Sequence, residues 1–145
     1  MPQSQIIIHE RLGTWARQLR PRFPGWPIHW SESRSASSLV KAVRLSYCPI
    51  LLIDLADRPL RGLEDLSEAM QASPGGLSVV LDPSNQLEVA IVARELGATL
   101  VLGGVVVPPV VETLLRRWIP IAIQRVEREG WSKALEPEPE SSVFL

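Results

Sequence analysis

The sequence predicts an α/β domain in which a five-stranded parallel sheet is covered by helices on both faces. Three observations predict it. Short runs of four to six residues, rich in Ile, Leu and Val, recur five times along the chain. Between them lie stretches of about ten residues or more whose apolar positions recur at helical spacing, the alternation that gives a parallel sheet. The central run, residues 48–53 (CPILLI), is apolar almost throughout, which suits a strand covered on both faces rather than one that alternates between core and water. Asp54 closes that run and falls at the carboxyl edge of the sheet, where open α/β folds hold their ligands.

Each element follows from its own residues. Residues 5–9 (QIIIH) form the first strand candidate, with three consecutive β-branched residues and Glu10 at its end. Leu12, Trp15, Ala16 and Leu19 then mark an amphipathic helix over residues 11–20, with Trp15 facing the core. Pro21, Pro24, Gly25 and Pro27 stop it. Residues 26–31 (WPIHWS) read as a short strand at a sheet edge, because Pro27 has no N–H for a ladder. The serines at 33, 35, 37 and 38 supply helix-capping hydroxyls ahead of a second helix carrying Leu39, Ala42 and Val43. After the central strand, residues 55–61 read as a loop and 62–72 as a third helix, ended by the turn Ser73-Pro74-Gly75-Gly76. Residues 77–81 form a fourth strand, followed by Asp82-Pro83 and a helix over 86–96, with Gly97 as its C′ residue. Residues 99–102 and 105–107 read as a fifth strand interrupted by Gly103-Gly104, a pair that marks a bulge or a close backbone approach. The last helix is predicted over 109–129, kinked or split by Pro120. The domain therefore spans residues 1–130, and 131–145, containing EPEPESS, reads as an acidic disordered tail. Its last three residues, Val143, Phe144 and Leu145, are weighed as a docking motif against an end without a role.

Composition narrows the function classes. With 15 basic and 16 acidic residues the net charge is −1, which gives no footprint for nucleic acid. The arginines at 11, 17, 20 and 22 read as a solvated helix face. One cysteine, Cys48, leaves no intrachain disulfide and no cysteine-rich zinc site, and its place in the central strand marks it as a core thiol. No apolar run is long enough for a membrane span and no secretion signal is expected, so a cytoplasmic protein is the expectation. Neither a phosphate-binding glycine loop nor a nucleophile elbow is present, so no catalytic residue is assigned and an enzyme is not expected. His9 and His29 lack metal-ligand spacing and read as packed or exposed side chains.

Five strands in βα alternation with right-handed crossovers favour the flavodoxin-like order 2-1-3-4-5. In that order Glu10, Asp54 and the loop after strand four meet at one edge, and a three-carboxylate cluster of Glu10, Asp54 and Asp82 suits a hard cation such as Mg²⁺. Its alternative is that these carboxylates cap helices and solvate loops. Three stretches, LLIDLADRPLRGLEDL (51–66), ARELGATLVL (93–102) and VPPVVETLLRRW (107–118), together resemble a response-regulator receiver domain of the CheY-like superfamily. The resemblance covers roughly residues 5–129 and implies that Asp54 stands at the phospho-accepting aspartate. It also implies departures. The acid pair after strand one reads His9-Glu10, the hydroxyl residue ending strand four reads Asp82, and the phosphate-contacting lysine reads Val107. A valine supplies neither charge nor donors, and Asp82 sets a carboxylate where like charge is unfavourable.

The resulting expectation is a degenerate receiver-like domain that works by protein contact, with a protein partner or as a homodimer. Its surface is expected around Val107, Val110, Leu114, Trp118 and Ile121, because the last helix carries more apolar residues than one face needs. The alternatives are an atypical receiver phosphorylated on Asp54 with Mg²⁺ on Glu10 and Asp54, and a small-ligand binder or enzyme at the carboxyl edge of the sheet.

Overall fold

The computed structural model describes residues 2–56 and 58–135. Its five strands are β1 (Ser4–His9), β2 (Ile28–Ser33), β3 (Ile50–Asp54), β4 (Leu77–Asp82) and β5 (Leu100–Gly103). Its helices are α1 (Thr14–Leu19), α2 (Ala36–Val43), α3 (Pro59–Ala72), α4 (Leu87–Glu95) and α5 (Pro108–Leu135). The sheet is parallel throughout, in the order β2-β1-β3-β4-β5. This is the doubly wound arrangement predicted from the alternation of elements.

The period of the strands decides the layers. Ile6 and Ile8 of β1, with Ile50 and Leu52 of β3, turn toward α1 and α5 and pack on Leu19, Leu115, Trp118 and Ile119. Ile7, Leu51, Ile53 and Val80 turn the other way and pack on Leu39, Val43, Leu63 and Leu66 from α2 and α3. Both faces of β1 and β3 are thus dry, which is why their sequences are apolar without alternation.

Several boundaries differ from the sequence reading. α1 begins only at Thr14, because the Glu10 carboxylate accepts the N–H groups of Trp15 at 2.8 Å and Ala16 at 2.9 Å and so fixes the helix start. Leu12, expected on the buried side, is left 69% exposed, while Trp15 is half-buried against the core. A 3₁₀ turn, Arg20–Arg22, extends the helix. β2 starts after Pro27, whose carbonyl accepts the Ser4 N–H at 2.8 Å, so the imino acid stands outside the ladder. α3 starts at Pro59 rather than residue 62, since a proline at the first helical position loses no bond that a helix would have made.

The fifth strand differs most. Gly103 pairs with Asp82, and the Gly104 N–H is donated to the Asp82 carbonyl at 2.9 Å. A Cβ on Gly103 would strike the Asn85 side chain, and Gly104 has φ +81°, so the pair serves a close approach and a turn that end the strand. Val105, Val106 and Val107 are therefore loop, not strand. α5, by contrast, runs unbroken through Pro120 and five residues past the expected boundary at 130. Pro120 is on the exposed side, and the buried residues Val111, Leu115, Trp118, Ile119 and Ala122 anchor the helix on both sides of it. That burial outweighs a proline cost of about 3 kcal/mol. The acidic stretch 136–142 and the terminal Val143-Phe144-Leu145 lie outside the described residues.

Candidate functional site

Asp54 is the last residue of β3, at the carboxyl edge predicted for it, and it is half-buried. One of its oxygens, Oδ1, accepts the Ala56 N–H at 2.9 Å, so the loop folds back around the carboxylate. The other takes no hydrogen bond among the described residues. Asp54 faces a pocket of about 190 Å³ lined by His9, Glu10 and Arg11 after β1, Arg34 after β2, Ala56 and Arg58 after β3, and Arg61, Gly62 and Asp65 on α3. Gly62 is needed there, since any Cβ would run into the Leu55 side chain that closes the base of α3.

The three carboxylates expected at this edge do different work. Glu10 is 6% exposed and both of its oxygens hold the start of α1. Asp82 is 2% exposed; its Oδ1 accepts the Ser84 hydroxyl at 2.5 Å and its Oδ2 accepts the Gln86 N–H at 2.9 Å, which ties down the turn into α4. Asp82 does not line the pocket. Among the described residues no group of three His, Cys, Asp or Glu side chains is arranged to hold a metal ion. The expected Glu10–Asp54–Asp82 cluster is therefore not assembled; two of its members act as caps, as the alternative reading of these carboxylates expected. Glu10 and Asp54 do line one pocket, and they are the residues able to offer oxygen to a cation there.

His9 carries a role the sequence did not suggest. It is 7% exposed, and its Nε2 lies 2.8 Å from Asp65 Oδ2 while its Nδ1 lies 2.7 Å from Ser33 Oγ. A carboxylate only accepts, so Nε2 is the donor in the first bond. One buried imidazole thus ties together β1, the end of β2 and α3 in the wall of the pocket. The order Ser–His–Asp resembles a hydrolytic triad in composition, but Ser33 is 2% exposed and does not line the pocket, so no substrate reaches it. Cys48 is no better placed as a nucleophile. It is fully buried, and burial pushes its thiol up, with Arg125 offsetting only part of the effect.

The position ending β5 holds Gly103, and Val107 lies four residues further on in the loop, 52% exposed. No cationic side chain thus comes from this strand end, which preserves the consequence drawn from Val107 while correcting its place. Positive charge reaches the pocket from the opposite side, through Arg11, Arg34, Arg58 and Arg61. Sequence reasoning missed the last three because Arg34 follows β2 while Arg58 and Arg61 stand at the start of α3, 24 residues or more further along the chain. The arginine cluster it did single out disperses: Arg22 pairs with Glu112 at 2.9 Å, Arg20 stands 3.9 Å from Glu32, and Arg17 donates to the Gly13 carbonyl.

The expected interaction surface splits in two. Trp118 is 8% exposed and belongs to the core between α5 and the sheet, so it is not a surface anchor. Leu114 is partly buried against the same core. Val107, Val110 and Ile121 are 52%, 49% and 40% exposed.

The parallel order β2-β1-β3-β4-β5, with β1 paired to β3, decides the fold. The chain has the fold of a response-regulator receiver domain. No family model matches the sequence, and no curated protein matches it either. Solved structures do. A receiver domain protein from Methanospirillum hungatei is 17% identical, with 88% of this chain and 99% of that one covered and a TM-score of 0.64. A response regulator from Burkholderia pseudomallei, solved with a phosphorylated aspartic acid and a calcium ion, is 19% identical over 95% of this chain and 76% of that one, with a TM-score of 0.57. The beryllofluoride-activated NtrC4 receiver domain, a dimer in solution, is 15% identical over 85% of this chain and 98% of that one, with a TM-score of 0.60. Among the described residues no helix of this receiver-like chain is long and apolar enough to cross a membrane.

Proposed function

We propose that this chain is a cytoplasmic signalling module of receiver shape that acts by protein contact, without phosphoryl transfer to Asp54. It pairs with a second copy or a protein partner through the edge of the sheet at β5. The observation that carries this reading is the apolar surface around that edge. Val105, Val107 and Val110 are 96%, 52% and 49% exposed on the loop after β5 and the start of α5, and Ile91 and Val92 are 46% and 40% exposed on α4, which packs beside β5. β5 has a neighbour on one side only, so its free backbone edge adjoins these side chains. Exposed apolar side chains gathered along one edge mark a contact surface more often than isolated ones do. The occupied carboxylates of Glu10 and Asp82, and the absence of a cation from the end of β5, support the lack of phosphoryl chemistry.

One observation favours a second reading, an atypical receiver phosphorylated on Asp54 with Mg²⁺ at Glu10 and Asp54. Among the described residues the Asp54 side chain keeps one oxygen without a hydrogen bond, and it shares its pocket with four arginines. The two readings separate on intact mass after incubation with acetyl phosphate and Mg²⁺. An unchanged mass is expected; an adduct of one phosphoryl group, lost in Asp54→Asn, favours the second reading. The contact surface is tested by sedimentation of the wild type against Val107→Glu/Val110→Glu. Self-association weakened in the variant is the expected outcome, and a wild type monomeric at every concentration removes the homodimer and leaves the protein partner.

A further inference from the structure

We infer that the pocket beside Asp54 is a reversible binding site for a small phosphate-bearing anion, held by Arg34, Arg58 and Arg61. This goes beyond the contact reading above and does not depend on it, because no covalent step on Asp54 is involved.

The charges around the pocket carry the inference. Its lining holds four arginines and three carboxylates, from Glu10, Asp54 and Asp65. Two of those carboxylates are already engaged by the protein. Glu10 accepts two backbone N–H groups of α1, and Asp65 is bonded to His9 at 2.8 Å. The third, Asp54, has one oxygen bonded to the Ala56 N–H. The arginines are different. Among the described residues the side chains of Arg34, Arg58 and Arg61 form no ion pair and no hydrogen bond, and all three residues are exposed. Three guanidinium groups from two connections, one after β2 and one at the start of α3, therefore line one concavity with no acceptor for their donors among the described residues. A guanidinium offers five N–H groups in a planar fork that matches phosphate oxygens.

The backbone points the same way. Arg58 is the residue before α3, and the helix starts with Pro59 and has no side chain capping its first turn. The N–H groups of Leu60 and Arg61 thus lie at the positive end of a helix of 14 residues, flanked by the Arg58 and Arg61 side chains. Size selects the class of ligand. A pocket of about 190 Å³ is smaller than the sites that take drug-sized molecules and suits a phosphate or pyrophosphate group. Asp54 then sets a geometric limit: its free oxygen repels an anion, so the ligand sits toward α3 and Arg34, away from the end of β3.

The test is calorimetric titration of the full chain with inorganic pyrophosphate at fixed ionic strength and without divalent cations. Saturable binding is expected, weakened roughly tenfold or more for each arginine removed in Arg34→Ala and in Arg58→Ala/Arg61→Ala. Because these side chains are exposed and make no bonds within the described fold, the variants are expected to melt like the wild type. Arg125→Ala/Arg128→Ala, which removes two arginines near Tyr47 at another concavity, is the control and is expected to bind as the wild type does. The inference is overturned by an absence of saturable binding, by binding unchanged in Arg58→Ala/Arg61→Ala, or by an equal loss in the control, which marks a general attraction of charge.

Discussion

Removing Asp65 tests whether His9 is a strap that holds the pocket or merely a packed ring. The two side chains are 8% and 9% exposed and their bond is 2.8 Å long, so little water screens the interaction. Asp65→Ala removes a hydrogen bond to a charged group, a net loss of about 1.5–3 kcal/mol, and leaves a buried ring nitrogen without its partner. A total near 3 kcal/mol follows, which for a domain of this size lowers the melting temperature by roughly 10 °C. His9→Leu is expected to cost at least as much, because it strands a buried carboxylate. Removing both partners, in His9→Leu/Asp65→Ala, leaves neither group stranded and costs less than the two single losses together, with a coupling of about 1–3 kcal/mol. Urea denaturation of the wild type, both single variants and the double variant measures this cycle. If the double cost equals the sum of the single costs to within about 0.5 kcal/mol, His9 and Asp65 are not coupled and the strap does not exist. A melting temperature unchanged in Asp65→Ala refutes the reasoning more directly.

Two further outcomes follow from the same geometry. Trp118→Ala, read from sequence as an interface change, is expected to cost about 3–5 kcal/mol in urea unfolding while leaving the sedimentation of the folded protein unchanged, since the ring lies in the core; a stability within about 1 kcal/mol of the wild type returns Trp118 to the surface. Glu112 is bonded to Arg22 and Arg116, each at 2.9 Å, and these bonds hold its carboxyl below the ordinary value of 4.5. A lowered folded value stabilises the fold above the ordinary value and loses that contribution as pH falls through the folded one. The stability gap between wild type and Glu112→Gln should therefore be constant near neutrality and close on acidification; a gap that widens toward acid pH contradicts the assignment.

The contrast between Trp118 and Val107 shows why surfaces were harder to read than layers. Both stand in an apolar stretch, and the sequence assigned both to one contact face. One turn of helix more or less decides which apolar residue meets the sheet, and that depends on where β5 stops. The stop is set by Gly103 against Asn85, a contact between residues 18 apart that no periodicity announces. Pro120 does not split the helix, for a related reason. Local propensity predicts a kink or a split, but the buried residues before and after it hold one continuous helix to the sheet.

What the sequence determined by itself was the alternation of elements, the apolar centre of the sheet and the place of Asp54 at its carboxyl edge. Burial on two faces leaves a continuous apolar signature, and a strand that ends in a carboxylate has only one edge at which to end. The neighbours of Asp54 were decided by tertiary structure alone. Glu10 and Asp82 turned to nearby backbone N–H groups, whose short loops let them reach. His9 met Asp65 across 56 residues, and arginines from two connections, after β2 and at the start of α3, met at one pocket. Charges converge across a sheet through the order of its strands, and that order lies in no single stretch of the chain.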